Sequence, residues 1–128
     1  MKKKKPTLLM VDQDAYYAGI YANRFEQAGW KVRVAEGIDA AKTQLDKGIP
    51  DVMVVDLDPP DETMIFLKEF KARADAGQTL LVVLSELGDR ALLKEAQEIG
   101  VDTYLLKGHF VPAEAVKKVA RLLEEKNV

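Results

Sequence analysis

The chain has 128 residues, 48% of them apolar and 31% charged, a balance that buries one continuous core and solvates its surface. That fits one globular domain with no appended output module, and excludes a wholly disordered chain or a fibre. The formal charge is −2, but Lys2, Lys3, Lys4 and Lys5 stand together at the start, and 15 other basic residues against 21 acidic ones leave an acidic body, so nucleic acid is a poor ligand for it.

Residues 1–6 are read as a disordered basic tail without assigned function, and residues 7–126 as the folded domain. No cysteine is present, so disulfides, a thiolate nucleophile and a cysteine zinc site are excluded and a reducing compartment is allowed. After Pro6 the run Leu8 to Val11 is too short for a signal-peptide core or a membrane span. A cytoplasmic protein with no membrane partner is expected.

The first strand is predicted over Thr7 to Val11, followed by a helical stripe of Tyr17, Tyr21, Phe25 and Ala28 that stops at Gly29. Val32 to Ala35 is the second strand, and Ile38, Ala41 and Leu45 mark a helix that stops at Gly48. The third pair is Val52 to Val55 with Leu67, Phe70 and Ala74, stopping at Gly77; the fourth is Leu80 to Leu84 with Leu92, Ala96 and Ile99, stopping at Gly100. Thr103 to Leu106 and a stripe of Val116, Val119 or Ala120, and Leu123 complete the series. The glycines are placed at the left-handed position just past each helix, where a Cβ is unfavourable.

Runs such as Val52-Met53-Val54-Val55 are apolar at consecutive positions, the pattern of strands covered on both faces. Five alternations of strand and helix give an α/β fold, a (βα)5 flavodoxin-like open parallel sheet of order 2-1-3-4-5 with helices on both faces. In such sheets ligands bind beyond the carboxyl ends of the strands. The residues there are Asp12, Gln13 and Asp14 after the first strand; Asp56, Leu57 and Asp58 after the third; Ser85 and Glu86 after the fourth; and Lys107, Gly108 and His109 after the fifth.

Converging carboxylates repel unless a cation joins them, and an all-oxygen donor set suits a hard ion, so weak Mg²⁺ binding is expected. Asp56, ending a buried strand opposite Lys107, is placed to attack phosphorus and form an aspartyl phosphate, with Lys107 and Ser85 neutralising and hydrogen-bonding the transferred group.

Val11-Asp12-Gln13-Asp14, Pro50-Asp51-Val52 leading to Asp56, Leu84-Ser85 and Asp102-Thr103-Tyr104-Leu105-Leu106-Lys107, in that order, resemble a response-regulator receiver domain of the stand-alone, chemotaxis-regulator-like kind. The resemblance spans essentially the whole body. It implies a two-component phosphorelay switch, not an enzyme except for self-catalysed phosphorylation and dephosphorylation. Asp56 would accept a phosphoryl group from a histidine kinase or phosphotransfer protein. Asp12, Gln13, Asp56 and Asp58 would be the metal ligands, Lys107 and Ser85 the phosphoryl contacts, and Ser85 with Tyr104 the switch pair. The fourth helix, fifth strand and fifth helix would form the face that binds a downstream protein or a second copy in a homodimer.

Three positions depart from the family pattern, and the segment Asp58 to Thr63 is one residue shorter than the usual loop and lacks the glycine that commonly precedes the third helix. Gln13 stands where a second acid is usual and brings no charge to the metal. Glu86 is bulky and anionic beside the phosphoryl position, and Gly108 replaces the proline that usually follows the lysine. Asp14 and Glu86 are therefore candidate modulators, and a phosphorylation-independent pseudo-receiver acting as an interaction module is the alternative reading. Taken singly, Asp12 and Asp56 fit helix N-caps, and Tyr16, Tyr17 and Tyr21 read as packing and rim contacts of the first helix. Trp30 reads as packing near a sheet edge, and His109 as a surface residue.

Overall fold

The structure, a computed structural model, describes residues 5–85, 89–108 and 111–127. Ten elements alternate along the chain: β1 (Thr7–Val11), α1 (Ala15–Gln27), β2 (Lys31–Ala35), α2 (Ile38–Asp46), β3 (Val52–Asp56), α3 (Pro60–Lys71), β4 (Leu80–Ser85), α4 (Arg90–Ile99), β5 (Thr103–Leu106) and α5 (Pro112–Lys126). The strands form one parallel sheet in the order β2-β1-β3-β4-β5. This is the flavodoxin-like (βα)5 arrangement expected from the apolar runs.

Alternate residues of each central strand serve opposite layers, because successive side chains of a strand point to opposite faces. Leu8, Met10, Val52, Val54, Val82 and Leu84 pack with Tyr21 and Phe25 of α1 and with Val116 and Val119 of α5. On the other face Leu9, Val11, Met53, Val55, Leu81 and Val83 pack with Leu45 of α2, Leu67 and Phe70 of α3 and Ala96 of α4. Both sides of β3 and β4 are thus dry, which explains their uninterrupted apolar runs. Trp30 is buried at the turn into β2, edge-on to Phe25 with ring centroids 5.1 Å apart.

Two helix ends differ from the stripes read in the sequence. Ala28 is exposed because it is the C-cap of α1, and α3 ends at Lys71 with Ala72 as its cap, so Ala74 is exposed and Gly77 terminates no helix. Arg73 turns back on Asp75, its Nε donating to Oδ1 at 2.9 Å, and Ala76 is the residue of this segment that enters the core. Gly29, Gly48 and Gly100 do follow their helices with positive φ. At Gly100 the angle is +110°, and an added Cβ would lie 3.1 Å from Lys71 Cε, so glycine is needed there for conformation and for space. Among the described residues no helix is long and apolar enough to cross a membrane. The basic stretch Lys2 to Lys4, Glu86 and His109 lie outside the described residues.

Candidate functional site

Register brings the rim residues together. β1 pairs with β3 up to Val11 and Val55, so Asp12 falls beside Asp56 at the next step. Asp56 pairs with Leu84, and Ser85 with Leu106, which sets Lys107 just beyond. The backbone continues these ladders past the strand ends: the Asp12 N–H donates to Ala35 O at 3.0 Å, Leu57 N–H to Leu84 O at 2.9 Å, and Lys107 N–H to Ser85 O at 2.9 Å. The rim residues Asp12 and Lys107 are thus tied by a backbone hydrogen bond to the neighbouring strand, and Asp56 and Ser85 lie within paired strands.

Asp12 and Asp56 are buried, and each forms a turn with the residue two places on. The Asp14 N–H donates to Asp12 Oδ1 at 2.9 Å, and the Asp58 N–H donates to Asp56 Oδ1 at 3.0 Å. Neither aspartate is a helix N-cap: Asp14 caps α1, its Oδ1 accepting from the Tyr17 N–H at 3.1 Å, and Pro59 precedes α3. The two remaining carboxylate oxygens face the Lys107 ammonium. It donates to Asp56 Oδ2 in a close ion pair and lies 3.5 Å from Asp12 Oδ2.

Two carboxylates thus share one cation in a site largely closed to water, and their protonation follows. Burial pushes the Asp12 carboxyl up to about 6; the Asp14 N–H and the Lys107 charge oppose this, and the charge of Asp56 adds to it. Burial disfavours the Lys107 ammonium, but the hydrogen bond and charge of Asp56, with the charge of Asp12, outweigh it and hold the lysine above its usual range.

Asp56, Asp58, Ser85 and Lys107 line one cleft of about 240 Å³ together with Pro60, Asp89 and Leu92. Ser85 is buried at the end of β4, whereas Asp58 is exposed. Gln13 is not in that cleft. It is exposed and lines a neighbouring hollow of about 500 Å³ with Glu36, Gly37 and Glu62, on the side of α2 and α3. Tyr104, on the outer strand β5, is 37% exposed. Gly108 takes φ +83°, a conformation closed to proline.

The donors fit a small hard cation. Asp12 Oδ2 is buried, has no hydrogen-bond partner in the protein, and shares with Asp56 a single counter-charge. Among the described residues no three His, Asp or Glu side chains are grouped as metal ligands. One contact escaped the sequence reading: the Lys107 ammonium lies over the ring of Tyr17, 4.7 Å from its centroid. Only the presence of an aromatic residue in the first turn of α1 hinted at it.

The family model described as the response regulator receiver domain matches residues 8–120. The chain is 32% identical over 118 residues to the photosynthetic apparatus regulatory protein RegA of Rhodovulum sulfidophilum, which covers 92% of this chain and 62% of that protein. It is 27% identical over 117 residues to the phosphate regulon transcriptional regulatory protein PhoB of Klebsiella pneumoniae, covering 91% and 51%. It therefore spans less than two thirds of the length of either relative. Among solved structures, a response regulator from Thermotoga maritima shares the fold at a TM-score of 0.84 and 24% identity, over 94% of this chain and 99% of that one.

Proposed function

The chain belongs to the response-regulator receiver-domain family, and from that premise we propose that it is a phosphorelay switch whose phosphoacceptor is Asp56. Members of this family act as phosphoacceptor switches in two-component signalling. The observation that carries the assignment to Asp56 is the convergence of Asp12, Asp56 and Lys107 from three strands on one buried point.

In the proposed reaction an Asp56 carboxylate oxygen attacks the phosphorus of a phosphohistidine on a histidine kinase or phosphotransfer protein. The new O–P bond forms in line as the N–P bond breaks, and the imidazole leaves with the electron pair and takes a proton from solvent. Asp58 N–H holds Asp56 Oδ1, so Oδ2 is the oxygen presented to the donor once Lys107 shifts from it. The ammonium then follows the charge onto the phosphoryl oxygens, and the Ser85 hydroxyl donates to them from the same cleft. A Mg²⁺ held by Asp12 and Asp56, with Asp58 at its rim and Gln13 reaching it only by turning from its own hollow, would supply charge neutralisation for phosphoryl transfer. Gln13 in place of an acid makes that affinity low.

Tyr104 and Ser85 are the proposed switch pair, linking the cleft to the face built by α4, β5 and α5, where a downstream protein or a second copy of the chain would dock. The test is intact mass after incubation with acetyl phosphate and Mg²⁺. Wild type gains one labile phosphoryl group; Asp56→Asn and chelator-treated wild type do not. No gain at any Mg²⁺ concentration overturns the assignment and leaves the pseudo-receiver, an interaction module, the reading toward which Gln13 in place of an acid points.

A further inference from the structure

Building on that reading of the cleft, we propose that Tyr17 is a positioning residue whose ring face keeps the Lys107 ammonium in the cleft beside Asp12 and Asp56, aimed to move onto the phosphoryl oxygens. The ammonium lies 4.7 Å from the ring centroid, inside the roughly 6 Å range over which a cation is drawn to an aromatic face. The lysine side chain is 14% exposed, so little water competes with the ring. Such a contact strengthens when desolvated.

Lys107 needs this support. Its backbone is tied to Ser85 O, but the ammonium ends a flexible four-carbon stem, and the chain turns away at Gly108 with φ +83°. The carboxylates attract the charge, and the ring face adds a third contact to it. Tyr17 is itself held in place. Its hydroxyl donates to the Tyr21 hydroxyl at 3.3 Å, the two rings lie 5.1 Å apart, and Tyr21 is buried in the core. Its backbone N–H is capped by Asp14, whose own N–H is bound by Asp12. Asp12, Asp14, Tyr17 and Lys107 thus form a closed ring of contacts joining α1 to the cleft, while the adjacent Tyr16, 81% exposed, takes no part.

The test combines kinetics with a direct probe of the contact. Protons of the Lys107 ε-methylene over the ring face should be shifted upfield in the NMR spectrum of wild type and of Tyr17→Phe, which keeps the face, and should return to ordinary values in Tyr17→Met. Phosphorylation of Asp56 by acetyl phosphate should be slower by about three- to tenfold in Tyr17→Met, as the aimed population of the ammonium falls, and near wild type in Tyr17→Phe. Unshifted ε-methylene protons in wild type overturn the proposal whether or not any variant folds. Shifted protons with an unchanged Tyr17→Met rate reduce Tyr17 to packing and overturn it too. If wild type takes up no phosphoryl group the assignment of Asp56 fails, while the proton shifts still decide whether Tyr17 places the ammonium.

Discussion

Lys107→Met keeps most of the apolar stem but removes the ammonium that Asp12 and Asp56 share. The two carboxylates are 2% and 9% exposed, so the charge left behind is screened poorly by water. At an effective dielectric of about 20 the 3.5 Å approach to Asp12 alone corresponds to about 5 kcal/mol before desolvation. The variant no longer bears the cost of taking an ammonium out of water, which offsets part of that, and a net loss of about 3 kcal/mol is expected, the usual cost of stranding one partner of a buried ion pair. Urea unfolding at pH 8 in chelator, followed by Trp30 fluorescence, should show a lower midpoint at unchanged slope, with a fall in Tm of about 10 °C. Adding Asp56→Asn to Lys107→Met should recover at least half of the loss, because the amide presents no charge to the vacated position. A loss below about 1 kcal/mol, the size of an exposed ion pair, or no recovery in the double variant, would refute the reasoning.

Gln13→Asp places a carboxylate next to Asp12 and should tighten Mg²⁺ binding by about tenfold in titration calorimetry, whereas unchanged affinity would show that the side chain stays in the hollow toward Glu36 and Glu62. Gly100→Ala should cost about 1–2 kcal/mol in urea unfolding, from the positive φ and the approach to Lys71; a loss below a few tenths would contradict both. Asp89→Ala removes the side chain that accepts the Leu92 N–H at 3.2 Å and should cost about 1 kcal/mol, with faster amide exchange confined to the start of α4.

The sheet was legible because its central strands are buried on both faces. A run such as Leu80 to Leu84 has few other uses in a chain this rich in charge; β1 and β5 have the predicted bounds, and β2, β3 and β4 are each longer by a residue at one end. Asp56 and Ser85 prove to be the last residues of β3 and β4 rather than the first beyond them. Helix ends were less legible. Ala72, Arg73 and Ala74 are good helix formers, and what stops α3 is a local turn with Arg73 folded onto Asp75, which periodicity does not register.

In the site, the meeting of Asp12, Asp56 and Lys107 followed from their places just past or at strand ends, since parallel register aligns those ends. The direction of Gln13 did not follow, because neighbouring side chains at a strand end diverge, and this one turns toward α2 and α3. Nor did the contact between Tyr17 and Lys107, which joins residues at opposite ends of the chain through an approach of α1 to the end of β5 that no local pattern encodes.

The most direct measurement is the position of the phosphoryl group. Protein treated with acetyl phosphate and Mg²⁺ is reduced with borohydride, which converts an acyl phosphate to an alcohol, and the altered residue is found by peptide mass spectrometry. Reduction at Asp56 alone is the expected result; reduction at another carboxylate, with Asp56 intact, would contradict the account.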